Sequence, residues 1–347
     1  MFFTHSNIGI SNIVISAKIS EEKYRMIKSI LIKSKIPHLC TNNTIISSYF
    51  SKEGICGITP ILSRDKYGYF FRITVYPQSL INNAPINYEP YIYSNQSAER
   101  LMNHINSCVK QLKMNINYFY VTRIGLCADY CFENGEITEQ YLQLAHNAVY
   151  SQKSVHYSLV NDKDIRHSVA WINGKSELEF SDRNYRYARN KKASTDLWGD
   201  TLRIEAVFHR MHINEFTKKF YGDHNISINE AIKCYAENAG ELMLKIIDKL
   251  YPKGDYYSKD IVNINIEEMK INDEDKINLC DMVKATDFMR RAEILMQSQV
   301  LKRERLKTLL NLLNKMNLNP VAIPNRTGIK FLYSFRNLIE FASGKSQ

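Results

Sequence analysis

The sequence predicts an α+β fold: an antiparallel-rich sheet with helices packed on one face, followed by an all-helical C-terminal domain. Three observations carry this prediction. Segments with the alternation and β-branched content of strands recur among helical-period segments up to about residue 210. Asn173-Gly174, a favoured two-residue turn, sits between two such segments and makes that pair a hairpin. After Met211 the strand signals stop and only helical spacing remains. The 347 residues suffice for two ordinary domains, and a hydrophobic share of 44% can fill their cores. Gly222, Asp223 and Asn225 break the pattern, so the expected domains are 1–222 and 223–347, the second binding DNA or driving oligomerisation. A layered ferredoxin-like or split sheet suits the first. No internal repeat is visible.

Taken in order, Ile8 to Ile19 alternates and reads as a strand. Glu21 to Ser34 reads as a helix, with Ile27, Ile30 and Leu31 at helical spacing, an acidic first turn and later lysines. Tyr69 to Tyr76 is a strand, Pro77 to Pro90 a turn-rich connection, and Ser97 to Met114 a helix. Tyr118 to Phe132 is a long strand, with Arg123, Gly125, Cys127 and Asp129 on one face and Thr122, Ile124, Leu126 and Ala128 on the other. Ile137 to Tyr150 is a helix, and His167 to Trp171 and Lys175 to Phe180 form the hairpin. Thr201 to Arg210 is a further strand. Helices are expected over 212–221, 229–250, 273–297 and 302–316.

Composition narrows the function. The net charge of +10 favours a polyanionic partner, although a Lys-, Asn- and Ile-rich chain can be basic through codon bias alone. The seven cysteines are odd in number and irregularly spaced, which points to reduced thiols in a cytoplasmic setting. There is no CxxC pair for structural zinc. No apolar run reaches the ~20 residues that span a bilayer, and MFFTHSNIGISN lacks the pattern of an export signal, so no membrane partner is expected. Phosphate-loop, HExxH and GxSxG motifs are absent, which leaves ATPase, zinc protease and serine hydrolase readings without support.

Two constellations could carry chemistry. In the strand after residue 200, Arg203, Glu205 and His209 share a face, as do Arg123 and Asp129 on the long strand and Glu177 and Glu179 in the hairpin. If these strands are neighbours, Asp129, Glu179 and Glu205 could hold Mg²⁺ or Mn²⁺. Glu205 and His209 are roughly 13 Å apart on one strand and cannot share an ion. The alternative is that Arg203–Glu205 and Arg123–Asp129 are ion pairs on a solvated face. The second constellation is SDRNYRYARNKK, residues 181–192. Its Arg183, Arg186, Arg189, Lys191 and Lys192 can neutralise phosphates, and Tyr185 and Tyr187 can stack on bases or attack a phosphodiester. Arg203 joins the basic set, and Tyr221, after Lys218 and Lys219, is a third candidate nucleophile. Solvated loop and helix surface are the plain readings of these two stretches.

VTRIGLCADY resembles the RIDxCxD strand of rolling-circle replication initiators of the filamentous-phage gene-two group and related Gram-positive plasmid proteins. HSVAWINGKSELEFSDRNY resembles their hairpin followed by YDK, TLRIEAVFHR their LRIE strand, and FRITVYPQSLIN an early strand of the same group. The motifs occur in the family's order over about residues 60–215. The resemblance implies a nickase-like fold and a plasmid or phage protein that binds origin DNA, single-stranded or hairpin. It also implies that the protein nicks and joins one strand through a phosphotyrosine, with a divalent metal. A host replication helicase is a further partner on this reading. The family's acids fall at Glu205 and Asp129, and the nucleophile candidates rank Tyr185, Tyr187, Tyr221.

The departures from the family are specific. Gly125 stands where an Asp is usual, Ser181 and Arg183 replace the Tyr and Lys of YDK, and Arg186 lies near a usual Glu; Asp182 is kept. Gly125 and Arg186 favour an alternative, a DNA-binding replication protein on the same scaffold that has lost catalysis. A third reading is an RNA-binding or structural protein whose charge is compositional.

Overall fold

The computed structural model describes residues 3–33, 36–84, 89–148, 155–160, 166–185, 200–222, 226–283, 296 and 302–344. The N-terminal half contains β1 (Phe3–His5), β2 (Gly9–Ile19), α1 (Glu21–Leu31), β3 (His38–Cys40), β4 (Thr44–Ser47), α2 (Tyr49–Lys52), β5 (Ile58–Asp65), β6 (Gly68–Val75), α3 (Pro77–Asn82) and α4 (Asn95–Gln111). Next come β7 (Tyr120–Phe132), α5 (Gly135–Asn147), β8 (Val155–Val160), β9 (Arg166–Asn173), β10 (Ser176–Asp182), β11 (Asp200–His209) and α6 (Arg210–Tyr221). The remainder comprises α7 (Ile228–Glu237), α8 (Ala239–Leu250), β12 (Tyr256–Tyr257), α9 (Lys259–Glu268), α10 (Asp273–Met282), α11 (Arg303–Lys315), β13 (Phe331–Leu332) and α12 (Phe335–Ala342).

The fold is α+β around one large antiparallel sheet. Its strand order is β3-β4-β5-β6-β2-β7-β11-β10-β9-β8, with β1 also paired to β7. The alternation expected of the long strand holds. Ile124, Leu126, Ala128 and Tyr130 are fully buried on one face of β7, and Leu202, Ile204, Ala206 and Phe208 of β11 lie beside them. Helices cover this apolar face. The Tyr130 hydroxyl donates to the Leu338 carbonyl of α12, Phe180 packs against Phe335, and Phe208 packs edge-on against Tyr235 of α7. One continuous core therefore runs from Ile10 of β2 to Ala342 of α12 and crosses the break near residue 222. The segment after that break is not purely helical, because β12 and β13 pair in a separate two-stranded ladder.

Local chemistry sets the element ends. Ser20 caps α1 by accepting from the Lys23 amide, and Glu21 and Glu22 complement the helix dipole. Ser94 with Ser97 and Ser227 with Glu230 form reciprocal caps on α4 and α7. The single helix expected over 229–250 is two, divided at Asn238, whose side chain bonds back to the Cys234 carbonyl. Strands β3, β4 and β5 are not expected from the sequence: β3 is exposed throughout, and β5 carries Pro60, which argues against a strand inside a sheet although β5 runs unbroken through it.

The strand order shows a repeat that residue identities hide. Central strands β2 and β7 lie side by side, antiparallel. Each leads into a helix, α1 or α5, and then into four strands that return so that the last pairs with the central strand: β3-β4-β5-β6 onto β2, and β8-β9-β10-β11 onto β7. The halves are thus related by an approximate two-fold axis between β2 and β7. What recurs is apolar parity, as in Ile13, Ile15 and Ala17 against Leu126, Ala128 and Tyr130. The residues on the opposite, open face differ, so the sequence carries no visible repeat.

His212, at the start of α6, contacts the Tyr235 hydroxyl and packs on Phe208. Burial lowers its pKa to about 4, aided by Lys245, Lys175 and Lys219 against the opposing Glu215. The native state thus favours neutral His212, and an unfolded chain binds more protons between the unfolded value near 6.5 and about 4. The stability His212 contributes is complete above pH 6.5 and lost as pH falls toward 4. Urea denaturation across this window should show a shallower loss for His212→Gln than for the parent chain.

Candidate functional site

The polar residues singled out in the sequence do share the open face of the sheet. Register places Asp129 directly opposite Arg203, Cys127 opposite Glu205, and Glu179 opposite Glu205 from the other side. Their chemistry is that of a closed network. Arg203 grips Asp129 side-on, with Nε on Oδ1 at 2.7 Å and Nη2 on Oδ2 at 2.8 Å. Arg183, just beyond β10, adds Nη1 on Oδ2 at 2.6 Å. All three are buried, with Asp129 8% exposed, Arg183 2% and Arg203 4%. Burial opposes the Arg203 charge, but the Asp129 and Glu205 carboxylates beside it raise its pKa well above the ordinary arginine value. Burial also pushes the Cys127 thiol far up, so it stays protonated.

Glu205 is held from the other central strand. Register slips between Ile10 and Asn12 of β2, leaving Ser11 as an extra residue opposite β7. Such a bulge re-aims side chains, and here Ser11 and Asn12 both reach Glu205. Ser11 Oγ donates to Oε1 at 2.5 Å and Asn12 Nδ2 to the same atom at 2.9 Å. Gly125 makes this approach feasible. A Cβ there would lie 2.2 Å from Ser11 Oγ and 2.8 Å from Glu205 Oε1. The space that an Asp would need in the initiator pattern is filled by donors to Glu205.

The metal-site expectation for Asp129, Glu179 and Glu205 does not fit this geometry. Both Asp129 oxygens are bound to guanidinium groups, and Glu205 Oε1 is taken by two neutral donors. Among the described residues no group of three or more His, Cys, Asp or Glu side chains is placed to hold a metal ion. The acids share a face because of strand parity, yet Asp129 and Glu205 each meet their own partners first. The solvated cross-strand pairs also need correction. Arg203 pairs with Asp129 inside the protein, and Arg123 faces Glu177 at 3.6 Å. Glu177 Oε1 also lies 2.8 Å from His209 Nε2, within hydrogen-bond distance.

The phosphate-binding roles expected of Arg183 and Arg203 are corrected by their burial: both charges are spent on Asp129. Arg186, Tyr187, Arg189, Lys191 and Lys192 lie outside the described residues. Tyr185 stacks flat on His167, with ring centroids 3.5 Å apart, and its amide donates to Asp182, which also contacts His167 Nδ1 at 3.3 Å. Asp182 follows Leu178 and Phe180 in alternation, so this stack belongs to the helix-bearing side of the sheet and not to the Glu205 side. Tyr221 ends α6, with its hydroxyl 3.5 Å from the Glu230 carbonyl. Burial and then the Cys234, Glu230, Glu237 and Tyr93 charges raise its pKa, the wrong direction for a nucleophile. Neither described tyrosine is therefore set up to attack.

Sequence reasoning missed Ser11 and Asn12, which lie in a segment whose alternation gave no sign of a bulge. It also missed the His167–Asp182 contact, although Asp182 stood out as the retained acid. No helix among the described residues is long and apolar enough to cross a membrane. No protein-family model matches the sequence, and no curated protein matches it.

Two substitutions test the network. Arg203→Met strips Asp129 of two buried charge-assisted bonds and should lower stability by about 3–5 kcal/mol in urea denaturation. Gly125→Asp, which restores the initiator pattern, should cost about 1–3 kcal/mol or more through overpacking against Ser11 and Glu205, with no gain in metal binding.

Proposed function

We propose that this chain is a DNA-binding replication protein on a nickase-type scaffold, one that holds DNA without cutting it. The observation that carries the reading is the Arg183–Asp129–Arg203 clasp, which occupies both oxygens of the central acid of the candidate site. Glu205 is held by Ser11 and Asn12, and Tyr185 is stacked on the far side of the sheet. The resemblance to rolling-circle initiators supports DNA as the partner, and the net charge of +10 supplies the attraction a polyanion needs. The same resemblance would have the acids hold a divalent ion and a tyrosine attack the strand, and it is these two steps that the geometry disfavours.

Binding on this reading is dominated by phosphate contacts, so affinity falls steeply with salt. Equilibrium binding to single-stranded and hairpin fragments of DNA flanking the gene should show this fall. The same fragments, incubated with Mg²⁺ or Mn²⁺ and run on denaturing gels, should give no tyrosine-linked adduct, and Glu205→Gln should leave affinity unchanged. A covalent adduct that disappears in Glu205→Gln would restore the nicking reading.

A further inference from the structure

The repeat in strand order sets a corresponding position in the first half beside each position of the acidic cluster. In the second half the last pair of the central ladder, next to the helix, is Phe132 with Asp200, and three pairs back stands Asp129 with Arg203. In the first half the last pair is Ile19 with Tyr69, and three pairs back stands Ser16 with Arg72. Arg72 thus occupies the place of Arg203, but a serine replaces its aspartate. The third strand continues the contrast: Ser181 lies opposite Arg203, and Ile61 opposite Arg72. Arg203 is buried and neutralised, whereas Arg72 is exposed and, among the described residues, forms no ion pair.

The described positions paired around Arg72 carry no carboxylate; Asp65, opposite Gly68, stands one row beyond Phe70. Its row across the open face reads Leu39, Ile46, Ile61, Arg72, Ser16, Tyr120 on six successive strands. The row toward α1 reads Thr44, Ser63, Phe70, Lys18, and the row on the other side Thr59, Thr74, Val14, Arg123. None of these positions is acidic, and Lys18 is exposed. Two aromatic rings on this face carry guanidinium groups: Arg72 lies 5.9 Å from the Phe70 centroid, and Arg210 lies 4.0 Å from that of Tyr120. Phosphates need cations, and unpaired bases need flat apolar faces beside them. A duplex hides its base faces and could use only the cations.

We infer that the open face of β6, β2 and the start of β7 is the nucleic-acid surface, binding single-stranded DNA with Arg72, Lys18 and Arg210 on phosphates and Phe70 and Tyr120 against bases. This rests on the DNA-binding reading above and locates it on the first half of the sheet, reaching Tyr120 and Arg210 at the near edge of the second. Fluorescence anisotropy with a labelled oligothymidylate of about 20 nucleotides, long enough to exceed one sheet's site size, tests it. The double variant Lys18→Glu/Arg72→Glu should lose roughly tenfold or more in affinity, and Phe70→Ala about fivefold or more. Lys315→Glu, on α11, should bind as the parent does. These positions carry exposed or half-buried side chains, and circular dichroism verifies that each variant is folded. Parent binding that survives Lys18→Glu/Arg72→Glu overturns this location while leaving DNA binding intact. A parent chain that binds no oligonucleotide overturns both. Duplex binding as tight as single-strand binding, indifferent to Phe70→Ala, overturns the base-stacking surface.

Discussion

A carboxylate buried within a sheet must be matched, and the match made at Asp129 constrains the open face around it. Three charged groups, one acid and two arginines, sit almost wholly out of water, where removing Asp129 leaves two buried cations without their shared acid. Arg203 can serve because β11 runs antiparallel beside β7 in the register that puts it opposite Asp129. Arg183 can serve because it directly follows the end of β10, with Nη1 2.6 Å from Asp129 Oδ2. Glu205, two residues along β11, is matched differently, by neutral donors on a bulged β2 and by the missing side chain at Gly125. Gly125 leaves the room that Ser11 fills, and Arg183 supplies a planar donor that Asp129 accepts.

The two halves of the sheet then read as one frame with opposite chemistry. Around β7 and β11 the polar face is closed, its acids and bases satisfied internally. Around β2 and β6 the same lattice positions carry Ser16, Arg72, Thr74 and Thr59, and among the described residues Arg72 has no ion-pair partner. Helices such as α7 and α12 pack on the other face, toward which the apolar residues of both halves point. A sheet open on one side and basic over half of it is suited to a long polyanion, whereas a closed acid network is suited to stability.

Much of the frame was legible in the sequence. Alternation in Tyr120–Phe132 and Asp200–His209 assigned Asp129, Arg203 and Glu205 to one face, and Asn173-Gly174 marked the β9–β10 hairpin. Gly125 stood out as a departure before its role was visible. The rest depended on what alternation cannot carry. The bulge at Ser11 adds one residue without disturbing composition, so Ser11 and Asn12 gave no signal. Parity tells which face a side chain takes but not which partner it meets, so Arg203 was matched with Glu205 and Arg123 with Asp129, whereas the actual partners are Asp129 and Glu177. The repeat lies in hydrogen-bonded strand order, and aspartate in one half corresponds to serine in the other.

Anomalous diffraction from crystals soaked in Mn²⁺ tests the central claim most directly. The account predicts no manganese peak between Asp129 and Glu205 and both guanidinium groups still on Asp129. A peak coordinated by Asp129 and Glu205, with Arg183 and Arg203 swung away, would contradict it.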